Sequence, residues 1–134
     1  MFERQIQIPS AEEIRARIPM PADLAAVKAG RDALVKDVIA GRSDKLLVVV
    51  GPCSAHETEP VLEYVRRLGR LNERVKDRLV LVPRIYTNKP RTKGVGYKGM
   101  FSQPDPENRE NILKGILTIR ELHIHAIAES GLSA

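Results

Sequence analysis

The spacing of the hydrophobic residues changes at Lys45. Before it, apolar residues recur near the helical period, whereas Leu46–Val50 is an uninterrupted apolar run. Such a run is typical of a strand that is buried on both faces. Residues 79–82 form a second run, and the residues between the two runs again follow the helical period. The pattern predicts a βαβ unit, whose strands are parallel because the intervening helix carries the chain back.

Two helices are predicted ahead of the first strand. Ser10 and Glu13 have the spacing of a capping box, which begins a short helix that ends before Pro19. A second helix runs from about residue 22 to residue 40, and Gly41 is placed to end it. Its apolar face consists of Leu24, Val27, Leu34 and Val38. We therefore expect two parts: a helical N-terminal extension over residues 1–44, and a unit of alternating strands and helices over residues 45–134.

Two further helices complete the pattern. Between the strands, a threonine or glutamate at residues 58–59 is placed to cap one helix. After the second strand, a long connection from about residue 87 leads to a helix over about residues 107–130, which Gly131 ends. The last residues of the chain lie where a third strand is expected to begin. Because two parallel strands with open edges do not close a sheet, we expect that a partner completes the fold or that the sequence is part of a longer one.

Composition limits the class of protein. A chain of 134 residues with 43% hydrophobic content can bury a single core. Its 22 lysines and arginines against 17 acidic residues give a net charge of +5, which favours anionic partners without choosing among metabolites, nucleic acid and lipid. The pattern contains neither a membrane span nor a signal peptide, and a single cysteine excludes an internal disulfide. We therefore expect a cytoplasmic protein with no membrane partner.

Two polar segments leave the predicted strands at the same edge of the sheet. "GPCSAHE" (51–57) follows the first strand and "PRIYTNKPRT" (83–92) follows the second. Ligand sites of parallel α/β folds lie at these carboxyl ends. The second segment and the loop after it are dense in cations that suit a phosphate or a carboxylate: Arg84, Lys89, Arg91, Lys93 and Lys98. On charge alone, a solvated basic loop is the alternative.

The cysteine and histidines do not by themselves make a metal site. A lone cysteine after a strand is more often a small buried hydrophobe than a ligand, and Cys53 with His56 supplies only two donors. His123 and His125 point away from each other on a helix, so we interpret both as ordinary helix residues. The glycine-rich segment 94–99 does not open a helix, as a dinucleotide motif does. The sequence contains no basic stripe that is interleaved with aromatic residues on one element. We therefore expect no nucleic-acid partner.

The order of the motifs gives the chain a family resemblance. "GPCSAHE", followed by "PRIYTNKPRTKGVGYKG" and then "QPDP", resembles the N-terminal third of the microbial class I 3-deoxy-D-arabino-heptulosonate 7-phosphate (DAHP) synthases of aromatic biosynthesis. The resemblance implies an α/β fold: about two repeats of a (β/α)8 TIM barrel, preceded by a helical extension. It also implies condensation of phosphoenolpyruvate with erythrose 4-phosphate, with release of inorganic phosphate.

The same resemblance implies roles for individual residues. Cys53 corresponds to a cysteine that binds a divalent metal of the manganese, iron, cobalt or zinc class. Arg84 and Lys89 correspond to cations that hold phosphoenolpyruvate and act at the reaction centre. Arg91 and Thr92 correspond to the motif that receives erythrose 4-phosphate, where a guanidinium and a hydroxyl suit a phosphate. The substrate-binding set is Arg84, Lys89, Pro90, Arg91, Thr92 and Lys98.

The resemblance also implies what the chain lacks. In the family, the other metal ligands and further cations for phosphoenolpyruvate belong to later strands. We therefore expect that this chain alone neither holds the metal nor turns over substrate. A homo-oligomer and feedback inhibition by an aromatic amino acid are further expectations, with contacts from the N-terminal extension. The alternative is a non-catalytic regulatory or interaction module that binds a phosphorylated metabolite or a barrel subunit.

Overall fold

The fold is known from a computed structural model, which describes residues 7–134. Its elements are α1 (Ala11–Arg17), α2 (Ala22–Ile39), β1 (Leu46–Val50), α3 (Thr58–Val75), β2 (Leu79–Pro83) and α4 (Ile112–Ser130). The two strands pair in parallel, with Leu46 opposite Leu79 and Val50 opposite Pro83. The predicted βαβ unit and the two helices ahead of it are therefore confirmed. Among the described residues, no helix has the length and apolar character needed to cross a membrane.

Local sequence sets several of the helix ends. The Ser10 hydroxyl accepts a hydrogen bond from the Glu13 backbone at 3.2 Å, and the Glu13 carboxylate accepts one from the Ser10 backbone at 2.7 Å. This capping box was predicted. Gly131 ends α4 with a φ of 68°, the left-handed conformation that glycine adopts without strain. The start of α3 differs from the prediction, because Glu57 occupies the N-cap position and no side chain caps the helix.

The fourth helix begins later than predicted, at Ile112 instead of near residue 107. The Asn111 side chain accepts a hydrogen bond from the Lys114 backbone at 2.9 Å and so fixes the first turn. The residues before it are held in turns, since the Gln103 side chain donates to the Asn108 carbonyl at 3.0 Å. The connection between β2 and α4 therefore runs from Arg84 to Asn111 without a helix or strand.

The core lies on both sides of α3. One cluster joins α3 to the sheet and to the end of the chain: Leu68, Leu81 and Leu132, with Val48, Val50 and Leu79 packed against them. The other joins α3 to α4 and to the loops after the strands: Ala55, Val61, Leu62, Val65, Met100, Leu122 and Ala126. Burial of these apolar side chains is the main favourable contribution to folding. Through the second cluster, the core directly supports both loops.

The opposite face of the sheet is less covered than the apolar pattern predicts. Val80 is only 2% exposed, but Val49 on the same face of the neighbouring strand is 58% exposed. The expectation that β1 is buried on both faces is therefore wrong. The second helix reaches this side of the sheet, yet none of its residues is buried. Because α2 carries several alanines and Gly30 beside its larger apolar residues, it covers little of the sheet.

Candidate functional site

The loops that follow β1 and β2 are joined beyond the ends of the strands. The Arg84 backbone donates to the Val50 carbonyl at 2.8 Å, and the Ala55 backbone donates to the Tyr86 carbonyl at 2.7 Å. These bonds extend the contact between the strands into the loops. The structure therefore brings the two predicted segments together at one edge of the sheet.

Gly51 permits the close approach of the two loops. A Cβ atom at this position would lie 1.9 Å from the carbonyl oxygen of Arg84, far inside van der Waals contact. Any side chain here would push the two loops apart. Pro52 follows and restricts φ at the turn. The abrupt end of the apolar run is thus what allows Pro52 and Ala55, on either side of Cys53, to form hydrogen bonds with the second loop.

The side chain of Arg84 crosses back over the first loop. Its Nη1 donates to the Pro52 carbonyl at 2.9 Å, and its guanidinium carbon lies 4.5 Å from the centre of the Tyr86 ring. The residue is exposed, and no carboxylate pairs with it in the described part of the chain. Neutral groups therefore orient the guanidinium, and its charge is left for an anion.

Cys53 is exposed and carries a free thiol, so the alternative of a small buried hydrophobe is wrong. Residues 7–134 contain no group of three histidine, cysteine, aspartate or glutamate side chains placed to hold a metal ion. His56 contacts Tyr97 instead, with ring centres 4.4 Å apart and planes at 66°. The residues present supply one thiol and do not fit a complete metal centre.

The basic loop after β2 closes on itself. The Lys89 backbone donates to the Lys98 carbonyl at 3.0 Å, and the Phe101 backbone donates to the Thr87 carbonyl at 2.9 Å. Gly99 has a φ of 98°, and a Cβ atom there would lie 2.6 Å from the Thr87 carbonyl oxygen. Both its conformation and its surroundings therefore require glycine. Exposed to solvent between the two paired ends are Pro90, Arg91 and Thr92.

The cations of this loop differ in what holds them. Arg91 donates from Nε to the Tyr97 carbonyl at 2.9 Å, which fixes the direction of its guanidinium. The Lys98 ammonium forms an ion pair with Glu110, a residue for which no role was predicted. Lys89 is half-buried and forms no ion pair within residues 7–134. The charges of Lys89 and Arg91 are therefore left for an anion, whereas that of Lys98 is offset.

Tyr97 connects the two loops. Its ring contacts His56, and its hydroxyl is buried without a hydrogen-bond partner among the described residues. This burial raises the pKa of Tyr97 above its ordinary value. The contact holds the basic loop against the loop that carries Cys53. No sequence signal predicts this contact, because the two residues lie on separate loops.

Relatives of the chain were found by sequence. The model of the DAHP synthetase I family matches residues 14–130. The Tyr-sensitive phospho-2-dehydro-3-deoxyheptonate aldolase of Salmonella typhimurium is 39% identical over 116 residues, which are 87% of this chain and 32% of that protein. The Phe-sensitive enzyme of the same name from Escherichia coli is 42% identical over 100 residues, 75% of this chain and 28% of that protein.

A solved structure agrees with these relatives. The structure of phospho-2-dehydro-3-deoxyheptonate aldolase from Francisella tularensis matches with a TM-score of 0.86 at 30% identity, over 98% of this chain and 38% of that chain. The chain spans about a third or less of the curated relatives it matches. The family match covers almost all of the chain, including both loops of the site. The protein therefore belongs to the DAHP synthetase I family.

Proposed function

We propose that this chain forms the first part of the active site of a DAHP synthase, a transferase that condenses phosphoenolpyruvate with erythrose 4-phosphate in aromatic amino acid biosynthesis. The hydrogen bond from Arg84 to the Pro52 carbonyl carries the proposal, because it joins the cationic second loop to the loop of Cys53. The relatives named phospho-2-dehydro-3-deoxyheptonate aldolase support it.

Arg84 and Lys89 bind phosphoenolpyruvate in this proposal. Both are cations without a carboxylate partner in the described structure. Both lie in the loop that follows β2 at the carboxyl end of the sheet. Cations held in position before the reaction stabilise negative charge without the cost of reorganisation. Arg84 and Lys89 thereby offset the charge of phosphoenolpyruvate while its carbon attacks the aldehyde.

The erythrose 4-phosphate end of the site is assigned to the exposed part of the basic loop. The Arg91 guanidinium has a fixed direction and can bind a phosphate through two parallel hydrogen bonds, with the Thr92 hydroxyl beside it. Pro90 restricts the backbone between Lys89 and Arg91. Lys98 contributes mainly through its backbone carbonyl, which accepts a hydrogen bond from the Lys89 backbone.

The two described strands begin a (β/α)8 barrel in this proposal. Such a barrel has eight parallel strands, so residues 45–134 supply its first repeats, and the helices α1 and α2 ahead of them form an extension, of which residues 1–6 lie outside the described structure. The chain alone is therefore expected to be inactive. The relatives are named as sensitive to tyrosine or phenylalanine. We accordingly propose a homo-oligomer that an aromatic amino acid inhibits, with contacts from the extension.

Cys53 is proposed as one ligand of a divalent metal of the manganese, iron, cobalt or zinc class. A thiolate suits the softer members of this group. Because the described residues do not complete the ligand set, the chain alone is expected to lose the metal on desalting. Elemental analysis of the desalted chain tests this expectation. Stoichiometric metal that Cys53→Ser removes would show that the chain holds a complete site.

A chimera tests the assigned activity. The matched segment of this chain replaces its counterpart in the Phe-sensitive Escherichia coli relative, and loss of phosphoenolpyruvate is measured with and without erythrose 4-phosphate. We expect an active chimera that Arg84→Ala or Lys89→Ala inactivates. Arg70→Ala, which removes an exposed cation on α3, is the matched control and keeps activity. A folded but inactive chimera would contradict the assignment and favour a non-catalytic binding module.

A further inference from the structure

A cleft of about 430 Å³ lies at the end of the sheet opposite to Cys53. It is bounded by α2, by the last turns of α3 and by the residues that enter the two strands, including Lys45 ahead of β1 and Lys76 ahead of β2. Cys53 and Arg84 follow the strands and line no part of it. The cleft is therefore separate from the site at the carboxyl ends.

Asn72 gives this cleft an unsatisfied acceptor. The residue lies in the apolar stripe of α3, is only 7% exposed and lines the cleft. Its Oδ1 accepts no hydrogen bond from any described residue. A buried carbonyl oxygen without a donor is costly, so native proteins provide a partner from the chain, from water or from a ligand. The cleft thus presents an acceptor that requires a donor.

Two cations line the same cleft without a carboxylate partner. Arg31 donates to the Leu81 carbonyl and Lys45 to the Lys76 carbonyl, each at 2.6 Å, and neither forms an ion pair within residues 7–134. Burial lowers the pKa of Arg31 below its ordinary value, which reflects the cost of its charge there. A bound anion would offset that cost.

The other charges of the cleft are already matched. The Lys76 ammonium pairs with Glu73 at 2.6 Å. The Asp77 carboxylate is 3.6 Å from Arg78, and its side chain is 74% exposed, so water screens its repulsion of an anion. Arg31 and Lys45 therefore determine the preference of the cleft for negative charge.

We propose that this cleft binds a small oxyanion that also carries a hydroxyl group, the chemistry of a phosphorylated or carboxylated hydroxy compound. The oxyanion binds Arg31 and Lys45, and the hydroxyl donates to Asn72 Oδ1. An anion with no proton to donate leaves Asn72 unsatisfied and binds more weakly. Inorganic phosphate has both features near neutral pH because it keeps a P–OH group. Sulfate has the same tetrahedral shape but no such proton.

Phosphate and sulfate therefore form a matched pair of probes. The isotopically labelled chain is titrated with each anion at equal ionic strength near neutral pH, and NMR follows the Asn72 side-chain amide and the Lys76 backbone amide. Phosphate is expected to produce saturable shifts at both groups, with sulfate binding about ten-fold more weakly. The Arg84 side chain reports phosphate at the substrate loops separately.

Three variants complete the test. Asn72→Leu removes the acceptor, so phosphate loses its advantage over sulfate. Lys45→Gln is expected to weaken the binding of both anions. Because it alters no buried side chain, it tests the proposal even if Asn72→Leu does not fold. Arg84→Ala leaves the response at Lys76 unchanged. The absence of saturable shifts near Asn72, or an equal response to the two anions, would overturn the proposal and leave a bound water or an adventitious ion only.

Discussion

Arg84 donates a hydrogen bond from Nη1 to the carbonyl oxygen of Pro52, at 2.9 Å. A residue that follows β2 thus holds the turn that follows β1. The same guanidinium lies over the Tyr86 ring, with 4.5 Å between the guanidinium carbon and the ring centre. The loops of Cys53 and Lys89 therefore form one connected edge, and a change in either loop is expected to alter the other.

Gly51→Ala tests the contact between the loops. A methyl group at this position would overlap the Arg84 carbonyl oxygen, so we expect a loss of about 1–3 kcal/mol in the free energy of unfolding. Gly30→Ala is the control, because its new methyl would meet nothing within 4 Å in α2 and is expected to stabilise by about 0.5–1 kcal/mol. Denaturant unfolding measures both. Equal stability of Gly51→Ala and the unchanged chain would contradict the described approach.

Arg66→Ala tests how α3 is held against α4. The guanidinium binds Glu59 at 2.6 Å and Glu63 at 3.0 Å on its own helix, and it also pairs with Glu129 on α4. The Arg66 side chain is 30% exposed, whereas that of Arg67 is 72% exposed and has Glu63 as its only partner among the described residues. We therefore expect Arg66→Ala to lower the denaturation midpoint more than Arg67→Ala. Equal midpoints would show that the link between the helices contributes nothing.

The titration of Asp105 tests the turn before α4. Hydrogen bonds from the Asn108 side chain and then from the Glu107 backbone lower the pKa of Asp105. Because its pKa is lower in the folded chain, its stabilising effect is present above the unfolded pKa of about 4 and is lost as pH falls through the folded value. Asn108→Ala should raise the pKa toward normal in an NMR titration, whereas Asn88→Ala should not. An unchanged pKa in Asn108→Ala would contradict this turn.

Local chemistry made much of the fold predictable from sequence. The capping box of Ser10 and Glu13 and the stop at Gly131 depend on residues close in sequence, and the structure confirms both. The start of α4 was predicted wrongly because apolar spacing does not register the cap at Asn111. The exposure of Val49 could not be predicted, because it depends on how much of the sheet α2 covers.

The meeting of the two candidate loops was predictable from sequence, but the contacts of their side chains were not. Parallel strands place the loops of Cys53 and Arg84 at one edge whatever their side chains are. The pairing of Lys98 with Glu110 depends on how a long loop folds, and no local pattern encodes it. In the sequence, Asn72 likewise resembles an ordinary polar residue of a helix. Only the packing of α3 shows that its Oδ1 is buried without a hydrogen-bond partner among the described residues.

Calorimetry with phosphoenolpyruvate tests the central claim most directly. The chain holds Arg84 and Lys89 on one edge of its sheet, so we predict weak but saturable binding even without further strands. Arg84→Ala should weaken this binding about ten-fold or more, since it removes a charged hydrogen-bond donor. Arg70→Ala makes the same change of charge on the exposed surface of α3 and should leave the binding unaltered. Indistinguishable isotherms for the unchanged chain and Arg84→Ala would contradict the assigned site.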